Sequence, residues 1–181
     1  KHIFNPVAIA VFLTAIGINQ SASWWVGNTW MIPVTLSGGL LIVKKIQKTD
    51  LVFSFLATAL FVIIVFAILN GSNLLAILNQ ALLHSALLFF ALIMLTEPST
   101  IPPAKKMQVG YGILVGILYS SQLHIQNFYI TPEMALLTGN VFSYIVSPKQ
   151  KLMLFLKEKI QIAPDIFDFI FTPKEKLSFT P

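Results

Sequence analysis

The sequence predicts an integral membrane bundle of about six helices that passes into the first strands of a β domain. Three observations carry this prediction. The composition is too apolar for water, six apolar runs alternate with lysine-bearing and lysine-free connections, and the hydrophobic period changes near residue 160.

Hydrophobic residues make up 56% of the chain and charged residues 10%, with a mean hydropathy of +0.79. A soluble domain carries about 25% charged residues, so lipid forms a large part of this chain's solvent. The net charge of +5 comes from lysines alone, and most of them stand beside apolar runs. They lack the arginines and interleaved aromatics of a phosphate-binding face, which argues against nucleic acid as a partner. With no cysteine, the chain's own residues offer no disulfide, thiolate metal site, cysteine nucleophile or iron–sulfur ligand. Its first residues, Lys1-His2-Ile3, include no initiator methionine and no signal-peptide order. Its last, Leu177-Ser178-Phe179, follow a strand-like alternation that has nothing to pair with. Both ends read as cuts within a longer protein.

The apolar runs cover 4–19, 29–43, 51–69, 74–95, 108–122 and 132–147. A spanning helix needs about 20 residues. The third and fourth runs reach that length, whereas the others are short enough to be broken or re-entrant. Pro6, Pro33 and Pro132 stand near the starts of their runs, where the missing amide donor is tolerated. Lys44, Lys45 and Lys48 separate the second and third runs. Lys105 and Lys106 precede the fifth, Lys149 and Lys151 follow the sixth, and Lys1 precedes the first. The loops around 20–28, 70–73 and 123–131 contain no lysine. Six alternating spans place every one of these lysines on one side, which the positive-inside bias makes cytoplasmic.

On the opposite side, Trp24, Trp25 and Trp30 lie beside Asn19, Gln20, Ser21 and Asn28. Tyr119, His124, Phe128 and Tyr129 close the fifth run. These rings read as an interfacial aromatic belt, with stacking on a quinone or flavin as the alternative. Leu152 to Lys159 mix apolar and charged residues as an amphipathic junction. From Ile160 the period becomes two: Phe167, Phe169 and Phe171 share one strand face, with Ile166, Asp168 and Ile170 on the other. A lone hairpin cannot bury those phenylalanines. The predicted divisions are thus a helical domain over 1–148, a junction over 149–159 and a β domain opening at 160–181.

Few side chains suggest chemistry. Glu97, in Met94-Leu95-Thr96-Glu97-Pro98-Ser99-Thr100, closes the fourth run, where a carboxylate is costly at membrane depth and often functional. Its bland alternative is a solvated loop carboxylate paired with Lys105 or Lys106. Gln80 and His84 are four apart on one helical face with Asn79 nearby, a polar stripe expected to face the bundle and bond between helices. Glu133 and Asn140, seven apart on the sixth run, would line an ion path, although Glu133 also suits the first turn of a helix, where a carboxylate complements the dipole. Gly110-Tyr111-Gly112-Ile113-Leu114-Val115-Gly116 has one residue too many for a dinucleotide loop and follows no strand, so Gly112 and Gly116 are read as helix-packing positions. No metal motif appears.

Two stretches resemble the RnfD/NqrB-like family of membrane flavoproteins, which belong to Rnf electron-transport complexes and to the sodium-translocating NADH:quinone reductase. Lys1-His2-Ile3-Phe4-Asn5-Pro6-Val7-Ala8 is similar to that family's Asn-Pro-Ala helix start. Thr96-Glu97-Pro98-Ser99-Thr100 is similar to its Thr-Asp-Pro motif, with Glu97 in place of the aspartate. The tail around Phe167-Asp168-Phe169 resembles the opening of a ferredoxin-reductase-type FAD-binding β-barrel. The resemblance implies a bacterial inner-membrane flavoprotein, multi-pass and embedded in the lipid bilayer beside the other chains of an electron-transport complex. It implies NAD(P)H as donor, FAD in a cytoplasmic module beyond this stretch, and FMN or riboflavin as further flavins. Asn5, Pro6, Thr96, Glu97, Pro98 and Thr100 are the implied cofactor-binding residues, and the stretch alone is expected to be inactive. Asp50 to Thr58 is the nearest match to a covalent FMN site and departs from that pattern, because Phe53 stands where a hydroxyl residue belongs. A small-solute or vitamin transporter with a soluble tail is the competing reading, with Asn79, Gln80, His84, Glu133 and Asn140 along the path. A purely structural membrane anchor is the third.

The lysine asymmetry makes a direct prediction. In this cysteine-free chain, Ser72→Cys and Asn127→Cys should react with an impermeant thiol reagent applied outside the cell, and Gln47→Cys should not. The reverse pattern would overturn the assigned orientation.

Overall fold

The computed structural model describes residues 2–18, 24–120, 124–125, 128–147 and 154–173, in two units that divide between Ser147 and Pro148. Lys1, Lys149, Lys151 and the turn after Pro173 lie outside the described residues, as do the side chains of His124, Phe128 and Tyr129. The first unit is helical: α1 (Pro6–Ile18), α2 (Ile32–Ile46), α3 (Thr49–Leu69), α4 (Leu74–Leu83), α5 (Leu87–Met94), α6 (Lys105–Ser120) and α7 (Pro132–Val146). A short antiparallel pair, β1 (His124–Ile125) and β2 (Phe128–Tyr129), connects α6 to α7.

The helix ends follow the local chemistry that the sequence suggests. Pro6 and Pro132 open their helices and Pro33 sits in the first turn of α2, where no intrahelical donor is lost. Gln47 takes the left-handed conformation (φ 55°) and closes α2 by donating to Lys44 and Val43 carbonyls. Lys44 and Lys45 complement the dipole at that end. Asn73 caps α4 by accepting from the Ala76 amide at 3.3 Å.

Among the described residues, two helices are long and apolar enough to cross a membrane: Thr29–Ile46, which adds a short 3₁₀ turn to α2, and α3 with 21 residues. At 1.5 Å per residue α3 is about 31 Å long, the thickness of the hydrocarbon layer. The fourth apolar run is not one continuous helix. It breaks at His84, Ser85 and Ala86, and α4 and α5 meet at 54°. Counted as one bent span, the pair brings the total to three. Hydropathy alone cannot see this break, because it depends on how backbone groups are satisfied rather than on apolarity. The Ser85 hydroxyl accepts from the Leu87 amide at 3.2 Å and so supplies a local alternative to the helical ladder. The first, fifth and sixth runs form helices of 13, 16 and 15 residues.

Packing directions order the unit. α3 and α6 run parallel and in close contact: a Cβ on Gly112 would stand 2.7 Å from the Leu51 carbonyl, and one on Gly116 would stand 2.9 Å from that of Phe55. These glycines let two backbones approach, as their spacing predicts. α6 and α7 run antiparallel, with Gly139 against Tyr111 and Val115 and Phe142 beside Gly110. Lys44, Lys45, Lys105 and Lys106 therefore share one end of the bundle, here termed the lysine end. The opposite, tryptophan end holds Trp24 and the start of α7. Leu51, Phe55, Phe90, Tyr111, Val115 and Leu136 form the core between them.

The second unit is an antiparallel hairpin of β3 (Leu154–Ala163) and β4 (Ile166–Pro173). The strand starts well upstream of Ile160, so Leu154 to Lys159 belong to a strand and not to an amphipathic junction. A register shift between Leu156 and Glu158 disrupts the alternation there and hides the strand from a period-two reading. Phe167, Phe169 and Phe171 are exposed. The described residues thus show one two-stranded sheet here rather than a barrel.

The tight α3–α6 contact is testable. Gly112→Ala should lower the melting temperature, by a destabilisation of roughly 1–3 kcal/mol from overpacking. Gly38→Ala, where an added Cβ meets nothing within 4 Å, should not lower it. Equal effects in thermal unfolding would contradict the packing.

Candidate functional site

At the lysine end, three chain segments converge on Asn5. Its Oδ1 accepts from the Val7 and Ala8 amides at 3.0 and 3.1 Å, which caps α1. Its Nδ2 donates to the Met94 carbonyl at 3.3 Å, at the end of α5. Its backbone amide donates to Asn140 Oδ1 at 2.7 Å, and Asn140 Nδ2 donates to the Tyr111 hydroxyl at 2.9 Å. Asn5, Tyr111 and Asn140 are buried. One polar network therefore ties α1, α5, α6 and α7 together.

The segment that follows α5 is closed by its own side chains. Phe90–Met94 is π-helical, with the Leu95 amide donating to the Phe90 carbonyl at 2.8 Å. Such segments lack the usual ladder near their ends and recur at functional sites. Thr96 Oγ1 reaches the Leu92 and Ile93 carbonyls at 2.9 and 3.2 Å. Thr100 closes a turn on the Glu97 carbonyl through both its amide and its hydroxyl. Gln108 Nε2 holds the Pro102 and Pro103 carbonyls at 2.9 and 3.1 Å. Asn5, Thr96 and Thr100 thus direct hydrogen bonds to backbone groups. Glu97 is half-buried, and its carboxylate forms no ion pair with Lys105 or Lys106 among the described residues.

At the tryptophan end, the Trp24 indole donates to Glu133 Oε1 at 2.6 Å. Glu133 is buried in the first turn of α7. Beside it lies a crevice lined by Trp24, Ala86, Phe89, Phe90, Met94, Tyr119 and Pro132. Its rings are in mutual contact: Phe90 and Tyr119 centroids are 4.8 Å apart, and Trp24 and Phe89 are 6.0 Å apart.

The two motifs that lie far apart in sequence, Asn5-Pro6 and Thr96-Glu97-Pro98, are brought together, and Asn140 joins them. Glu133 and Asn140 do not share a site. Seven residues of helix separate them by about 10 Å, and each is bound to a different partner. Asn79, Gln80 and His84 are exposed, so the expected inward-facing stripe is absent: α4 buries no residue and turns this face away from the unit. Sequence reasoning does not single out Trp24, Tyr111, Gln108 and Ser143 as polar-site residues. The available signal is a polar group at three-residue spacing inside an apolar helix, as in Gln108 with Tyr111 and Asn140 with Ser143.

The convergence of these two motifs is the geometry to set against known families, and residues 3–151 match the NQR2, RnfD, RnfE family. The chain belongs to that family. Its members are associated with the membrane electron-transport complexes Rnf and Nqr, which are multi-subunit assemblies. No curated protein sequence and no solved structure matches the chain.

Flavin can be tested against the described residues. The crevice encloses only about 10 Å³, far below the ~300–1,000 Å³ of sites that enclose a ligand of that size. The hairpin residues of β3 and β4 are exposed apart from Ala163 and form no enclosed surface. Neither place fits a flavin as it stands. Thr58 lies in α3 against Gly116 of α6, inside a helix contact rather than on an extended segment.

The network at the lysine end has a measurable consequence. Asn140→Leu should destabilise the protein more than Tyr111→Phe, because it strands both the Asn5 amide and the Tyr111 hydroxyl, at about 1–3 kcal/mol per stranded group. Thermal unfolding in detergent or nanodiscs measures the difference, and equal losses would contradict the assignment.

Proposed function

We propose that this chain is a membrane component of an NAD(P)H-oxidising electron-transfer complex in a bacterial inner membrane, with six spans and both ends of the helical unit on the cytoplasmic side. Electrons reach it from an FAD module on that side. The observation that carries this reading is the hydrogen bond from Asn5 to the Met94 carbonyl. It joins the two stretches that resemble the family's motifs at one buried point on the lysine end, beside Glu97. The packing directions agree with alternation over the later runs: α3 and α6 are parallel and α6 and α7 antiparallel.

The residues of this chain contribute placement. Asn5, Thr96 and Thr100 close backbone groups where water is excluded, which fixes the loop that presents Glu97. Glu97 is half-buried and forms no ion pair among the described residues, so its carboxylate is available at this end to bind a partner's donor. Glu133 instead orients Trp24 at the tryptophan end. The transporter reading loses its path, since Gln80 and His84 are exposed while Glu133 and Asn140 serve separate networks.

The test uses the complex purified with all its chains. It should show flavin absorbance and oxidise NADH or NADPH. Glu97→Gln should slow electron transfer about tenfold or more, the effect of roughly 1.4 kcal/mol on the barrier, and Glu133→Gln should have a smaller effect. A complex without flavin, or equal wild-type rates in both variants, would overturn the proposal.

A further inference from the structure

Ser143 stands out among the polar side chains of the helical unit. Its hydroxyl is buried, with the residue 1% exposed, and it meets no hydrogen-bond partner among the described residues. Several hydroxyls in these helices turn back to a carbonyl one turn earlier: Ser37 on Pro33, Ser120 on Gly116 and Thr138 on Met134. Ser143 does not, although the Gly139 carbonyl lies one turn behind it. A buried polar group left alone is costly, and in native proteins nearly every such group is satisfied by protein or by ordered water.

Its place on α7 says what the missing partner meets. Ser143 follows Asn140 by three residues and Gly139 by four, so it shares the face that packs on α6. Because α6 and α7 are antiparallel, that face descends from Tyr111 toward Gln108 at the lysine end. Asn5, Gln108, Tyr111, Asn140 and Ser143 are all buried there. All five side chains are neutral. The Tyr111 hydroxyl accepts from Asn140, and no acceptor for its own proton is found among the described residues.

We propose that the inner part of the α6–α7 contact is a buried hydration site, in which an ordered water bonds to Ser143 Oγ and extends the Asn140–Tyr111 network. A water both donates and accepts, and typically makes about three bonds to buried groups. It therefore satisfies Ser143 and offers an acceptor for the Tyr111 proton. A cation here would be held by the dipoles of neutral oxygens alone, with no carboxylate among these five residues to offset its desolvation, so water is the ligand proposed. The site is distinct from the electron-transfer reading and does not rest on it.

The experiment measures melting temperature for the full protein in nanodiscs, with a density map fine enough to show waters. Ser143→Ala should lower the melting temperature by about 2–4 °C, the shift expected for losing one such bond in a chain of this size, because it takes a partner away from the water. The wild-type map should show a water within hydrogen-bond distance of Ser143 Oγ. An unchanged or higher melting temperature in Ser143→Ala means an orphaned hydroxyl and overturns the proposal, as does a map without that water. Exchange of sodium for potassium at constant ionic strength should leave the wild-type value unchanged. A sodium-specific rise would overturn the neutral-ligand claim.

Discussion

The fold of the helical unit depends on satisfying backbone hydrogen bonds at the lysine end without water. A carbonyl left unpaired in hydrocarbon costs several kcal/mol, and a segment that ends as a π-helix exposes several. Asn5 binds the Met94 carbonyl, Thr96 those of Leu92 and Ile93, and Gln108 those of Pro102 and Pro103. Asn140 then locks the start of α1 against this junction. Remove these side chains, and the short helices α1, α6 and α7 lose the polar contacts that set their depth and rotation.

This gives the family-like motifs a structural meaning. Asparagine precedes proline at residues 5 and 6 because one side chain must cap α1 and reach across to α5, while the proline starts the helix without an unsatisfied donor. Threonine precedes Glu97 because a hydroxyl must fold back on the frayed end of α5, and Pro98 prevents the helix from continuing. What is left over for chemistry is Glu97, which is held by this construction without being consumed by it.

Much of this is legible in the sequence. The positions of the helices follow from the apolar runs, and Gly112 and Gly116 are recognisable as packing sites because their spacing presents one small face. Other features are not. The bend at His84 to Ala86 depends on a serine competing for backbone groups inside an apolar run, and hydropathy is blind to that. The early start of β3 is hidden by a bulge near Leu156 that resets the side-chain alternation. For the site, Asn5, Thr96 and Asn140 can be picked as unusual, but their meeting cannot, since hydrogen bonds between residues 5 and 140 leave no local pattern. Helical spacing pairs Glu133 with Asn140, yet Trp24 claims Glu133 first.

At the lysine end of the helical unit, Asn140 and Tyr111 act with the Asn5 amide as one fastening rather than as independent contacts. Asn140 binds the Asn5 backbone amide, which substitution at residue 5 leaves in place. The side-chain pair Asn140–Tyr111 therefore gives the most direct test, by a double-mutant cycle with Asn140→Ala and Tyr111→Phe measured by thermal unfolding. If they form one fastening, the double variant should be little worse than the more damaging single variant, with a coupling of about 1 kcal/mol or more. Losses that simply add would mean that the two residues act separately, and the central claim would fail.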